Sequence, residues 1–177
     1  MSGLESAPKR TPALRLPGGW IIAMVPLIWL LGLGAWVMAR WSRLPRLIPI
    51  HWDLWTGLPD FWVRRTPAVV LSVLGTMGGI CLAFIVLAWL MLQQPPPHAL
   101  PEMLAAERAF RRQAALLIVV SAWFIAFLPA LSLLPLPFDA LRVWIGLFGV
   151  ALLAGLIVLV RSGLRMRRKR HDIRAPP

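Results

Sequence analysis

The chain has 177 residues, 59% of them hydrophobic and only 15% charged, with a mean hydropathy of +0.73. This balance excludes an ordinary water-soluble globule and points to a protein solvated largely by lipid. The net charge of +12 raises nucleic acid as a partner, but the basic residues flank apolar blocks and read as membrane-topology signals, so no direct nucleic-acid contact is expected.

Residues 1–19, "MSGLESAPKRTPALRLPGG", form a Pro-, Gly- and Ser-containing segment expected to be a flexible tail. The first apolar block follows, a transmembrane helix over 20–39. Its "VMA" at Val37–Ala39 looks like a signal-peptide cleavage site. The run is longer than a usual signal core and carries Trp29 and Trp36, so it reads as a retained anchor. Three further blocks predict helices over 68–92, 114–134 and 143–160. A hydrocarbon core of about 30 Å takes roughly 20 helical residues, and the apolar runs themselves hold no Asp, Glu, Lys, Arg or His. Continuous apolar runs lack the alternation of barrel strands, which leaves an all-α integral membrane protein: a four-transmembrane-helix bundle with an ordered, Trp- and Pro-rich loop between the first two helices.

Helix packing is expected at small residues four apart: Gly75 and Gly79 in the second span, Ala122, Ala126 and Ala130 in the third, Ala151 and Gly155 in the fourth. Pro26 and Pro129 are expected to kink their helices. The connector 93–113 begins as a proline-rich linker and turns helical from Pro101, running into the third span. "LPLPFD", Leu134–Asp139, predicts a tight turn at the start of the connector 135–142, so the last two spans form a hairpin. The polar contents of the spans are few, Ser72, Thr76, Cys81, Ser121 and Ser132, which disfavours a pump or coupled transporter. Cys81 stands alone, so no internal disulfide can form.

With four spans the two termini share a side. That side carries 13 basic residues and the other 6, which predicts cytoplasmic termini and an extracytoplasmic loop over 40–67. The tail 161–177, with Arg165, Arg167, Arg168, Lys169 and Arg170, is expected to rest on anionic lipid, with a cytoplasmic partner or regulator as the alternative.

The densest chemistry lies in that loop, "RLPRLIPIHWDLWTGLPDFWVRR". Pro45 and Pro49 enforce extended backbone around them. "DLWTG" has turn composition, with Asp53 able to bond backbone amides ahead and Gly57 able to take positive φ. Trp41, Trp52, Trp55 and Trp62 suit a headgroup layer. His51, Asp53 and Asp60 resemble metal ligands or an acid/base pair, but one His without Cys is a poor ligand set, so no metal, cofactor or enzymatic activity is expected. The alternatives are structural: His51 and Asp53 bonding loop backbone or each other, and Asp60 pairing with Arg64 or Arg65. Recognition of an external ligand, or proton sensing by His51, remains beside them.

Leu44, Pro45, Ile48, Pro49, His51, Trp52, Asp53, Gly57, Pro59, Asp60 and Trp62, in this order after a first transmembrane helix, resemble the signature of a domain of unknown function in bacterial membrane proteins of the SdpI-like immunity family. The resemblance implies a non-enzymatic protein of the bacterial cytoplasmic membrane whose outer loop senses or blocks a membrane-active molecule such as a toxin peptide. The competing expectations are an accessory subunit packed in a larger membrane complex or a homo-oligomer, and, less favoured, a small transporter or membrane enzyme.

Overall fold

The computed structural model describes residues 15–16, 18–53, 56, 58–94, 101–134 and 139–174. Helix α1 spans Gly19–Ala39, α2 Pro67–Gln93, α3 Pro101–Leu133 and α4 Asp139–Arg174. All four are long and apolar enough to cross a membrane, so the chain is a mostly helical, multi-pass membrane protein.

The ends of the helices follow local chemistry. Gly18, at φ 78°, supplies the left-handed residue before α1. Thr66 caps α2, its hydroxyl accepting the Val69 N–H at 3.2 Å, and Pro67 occupies the first turn, where no N–H is needed. Pro101 opens α3 as expected. Pro26 and Pro129 lie inside α1 and α3, each fully buried.

Helix α3 is the central element, packing against α1, α2 and α4, while α1 also packs on α2. The small residues Ala122, Ala126 and Ala130 of α3 are buried at 0%, 0% and 3% exposure, letting neighbouring backbones approach. At this crossing the Cys81 thiol of α2 donates to the Ala122 carbonyl at 3.2 Å. Gly155 brings α4 close to α3, since a Cβ there would lie 2.7 Å from Leu117 Cδ1. Gly75 and Gly79 behave differently: they are exposed, with open space where a Cβ would sit, so among the described residues they meet no neighbouring helix. Ala151 is likewise exposed. An aromatic ladder joins three helices, Trp29 stacking on Phe127 at 4.6 Å, Phe127 meeting Trp144 at 4.7 Å, and Phe124 stacking on Phe148 at 3.8 Å.

Three expectations change. The tail is not free throughout, because Leu16 is buried at 5% exposure against Ala23, Ile85, Ala88 and Leu92. The basic segment continues α4 as helix to Arg174, consistent with the good helix propensity of Arg, Lys, Leu and Met. At 36 residues α4 is about 54 Å long, well beyond a hydrocarbon core of about 30 Å. The loop between α1 and α2 contains a β-hairpin, so the fold is not purely α. Most of the expected flexible tail, the proline-rich linker at 95–100 and the turn at 135–138 lie outside the described residues.

Candidate functional site

Strand β1 (Leu47–Trp52) pairs antiparallel with β2 (Pro59–Arg64). Leu47 faces Arg64, Ile48 faces Val63 and Pro49 faces Trp62. The register then shifts twice, once on each side of His51, which leaves Ile50 and Asp60 as the extra residues of two bulges. Bulges turn side chains and increase twist. They bring His51 Nδ1 to 2.6 Å from Asp60 Oδ1, although His51 is registered opposite Phe61. A carboxylate only accepts, so Nδ1 carries the hydrogen in this pair.

The hairpin is closed at its base by the Arg65 N–H donating to the Arg46 carbonyl at 2.8 Å. At its tip the Asp53 N–H donates to the Leu58 carbonyl at 3.0 Å, and the Thr56 hydroxyl donates to Asp53 Oδ2 at 2.7 Å. Asp53 therefore orders the turn, as its composition predicts, though through a hydroxyl. Leu54, Trp55 and Gly57 lie outside the described residues.

Two arginines fasten the hairpin to the bundle. The Arg65 guanidinium donates to the carbonyls of Trp41 and Leu44 and lies 4.9 Å over the Trp41 ring. It thus satisfies carbonyls where the chain leaves α1, a position where cations are favoured. The Arg142 guanidinium near the start of α4 donates to the Thr56 carbonyl at the hairpin tip. Asp60 therefore pairs with His51, not with Arg64 or Arg65 as expected. Arg65 is engaged by backbone carbonyls, and the bulge turns Asp60 to the other strand.

One hairpin face packs on the helix ends. Ile48 is 1% exposed and, with Leu44 and Val63, meets Leu33, Val37, Val70, Ala130 and Leu133. Pro49 is buried as well, while Pro45 is exposed and Trp52 and Pro59 are half-buried. The hairpin exposes apolar and polar groups: Ile50, Leu58, Phe61 and Trp62, and the His51–Asp60 pair, whose side chains are 69% and 48% exposed. Among the described residues no three His, Cys, Asp or Glu side chains gather as a metal-binding group.

At the opposite end, Arg111 is the one buried charged residue among the described residues, at 9% exposure. It bonds Glu107 at 2.9 Å and donates to the Gln94 carbonyl at the C-terminus of α2, repeating the arrangement of Arg65 at the end of α1. Arg165, Arg167 and Arg168 are exposed on the helical extension of α4, of which Lys169 and Arg170 are also part.

The roles of Arg65, Arg142 and Thr56 were not legible from residue types. Arg64 and Arg65 are indistinguishable in sequence, and the contact of Arg142 with Thr56 spans 86 positions. No family model, curated protein or solved structure matches the chain.

Proposed function

We propose that this is a non-enzymatic protein of the bacterial cytoplasmic membrane, with its termini in the cytoplasm, whose hairpin faces outward and senses or blocks a membrane-active ligand, in the manner of the SdpI-like immunity family that its loop resembles. The observation that carries this reading is the hairpin itself: anchored to the helix ends through Ile48 and Val63, with Ile50, Leu58, Phe61 and Trp62 exposed along with the His51–Asp60 pair. Aromatic and apolar side chains beside a polar pair suit an amphipathic molecule arriving in the headgroup layer. The excess of basic residues on the terminal side supports the orientation.

The test is protection. A bacterium sensitive to membrane-active peptides is given the gene, and survival is compared with that conferred by a variant carrying Ile50→Ser and Phe61→Ser. Protection by the parent that is lost in the variant supports the reading; absence of protection, or full protection by the variant, contradicts it.

A second reading, an accessory subunit of a larger complex, is favoured by α4. No residue of its span Arg142–Arg165 is buried by the chain itself. Gentle detergent extraction followed by mass spectrometry recovers stoichiometric partners if this reading holds.

A further inference from the structure

The hairpin has two edges, and they differ. Alternate residues of an antiparallel ladder direct their backbone groups to the partner strand and away from it. The Arg65 N–H bonds the Arg46 carbonyl, which fixes the phase: Ile48 and Val63 bond each other across the ladder, and Leu47, Pro49, Trp62 and Arg64 point their backbone groups outward. On β1 that edge lacks a donor at Pro49 and lies beside α3. On β2 it offers an N–H and a carbonyl from each of Trp62 and Arg64, without proline, and none of the non-ladder backbone bonds among the described residues involves them. Free edges of this kind pair with another strand.

The edge is complementary to itself. Set antiparallel about Val63, two copies of β2 place Trp62 of one opposite Arg64 of the other, twice. Every outward N–H and carbonyl of the four residues then gains a partner. The same register puts each guanidinium beside the other copy's indole, an attractive pair, with no like charges facing each other. Val63 packs towards the helix ends, so Trp62 and Arg64 turn their side chains to the open face. The two-fold axis of such pairing runs perpendicular to the sheet, whose Ile48–Val63 face packs on the helix ends. The axis therefore runs along the bundle, and both copies keep the same insertion in one bilayer. From this we infer that the chain forms a homodimer through β2, joining two hairpins into one four-stranded sheet at the membrane surface. This goes beyond the proposed ligand role and does not depend on it.

The test uses the full chain with Cys81→Ala, in membranes, oxidised by copper phenanthroline. A tagged Trp62→Cys chain is co-expressed with an untagged Arg64→Cys chain. Directly opposed residues of a bonded pair have Cα atoms about 5.5 Å apart, within disulfide reach, whereas like residues across the axis are about 8 Å apart and out of reach. The mixture is expected to give a disulfide-linked heterodimer, and each variant alone at least tenfold less. These side chains face away from the core, so the substitutions leave the fold intact, and circular dichroism of each variant checks this. Absence of the heterodimer from folded variants, or equal cross-linking by each variant alone, overturns the inference. So does an edge that pairs only with an added extended peptide.

Discussion

The Arg65 guanidinium lies 4.9 Å over the Trp41 ring and bonds that residue's own carbonyl, so one side chain joins the exit of the hairpin to the end of α1. The carbonyl of Leu44 is held by the same group. Three attachments converge on a planar cation, which lysine cannot reproduce.

Replacing Arg65 with alanine is therefore expected to destabilise the protein by about 1.5–3 kcal/mol, the range for hydrogen bonds to a charged group. Arg65→Lys should recover only part of this. Thermal unfolding in detergent, with hydrogen exchange of the hairpin amides, measures both; equal stability of parent and Arg65→Ala refutes the latch.

The His51–Asp60 pair is exposed and should matter little to the fold. Asp60→Ala and His51→Ala are expected to change unfolding free energy by less than about 1 kcal/mol. Any loss of protection in these variants then reports recognition, and the same unfolding measurement separates the two effects.

Glycines divide by the space around them. At Gly155 a leucine meets Leu117 and is expected to cost about 1–3 kcal/mol, whereas alanine requires only that the flexible tip of Leu117 rotate. Gly75→Ala and Gly79→Ala meet nothing among the described residues and should leave stability unchanged or slightly raised. Unfolding of the three alanine variants and Gly155→Leu, in one detergent, checks the division.

Arg111 is buried with Glu107 and the Gln94 carbonyl as partners. Arg111→Met removes the shared donor from both and is expected to cost about 1–3 kcal/mol. Limited proteolysis near residue 94 should quicken if the end of α2 has been released.

The four spans were legible because each is an unbroken apolar run of membrane length, a signal independent of neighbours. Which face of each run packs was not: a helix apolar all round has no preferred side, so Gly75 and Gly79 look the same in sequence as Gly155. The hairpin was hidden because its strands are six residues long and contain Pro49 and Pro59, which argue against central strands. The prolines and the "DLWTG" composition do make an extended, ordered segment with Asp53 in a turn legible there. The partner of Asp60 was out of reach, since the two bulges change the register on which any pairing argument depends. The basic segment after Val160 holds no apolar run, which is why the expected span stops there; Arg, Lys, Leu and Met nonetheless favour helix, and α4 continues to Arg174.

The central claim is that the hairpin and the basic extension of α4 lie on opposite sides of the membrane, with the hairpin outside. Cys81 is buried, so the parent should give little labelling of its own. A membrane-impermeant maleimide is applied to intact cells carrying either Asp60→Cys or Arg167→Cys. Labelling of Asp60→Cys from outside, with Arg167→Cys labelled only after permeabilisation, is the predicted result; the reverse pattern, or labelling of both from outside, contradicts the account.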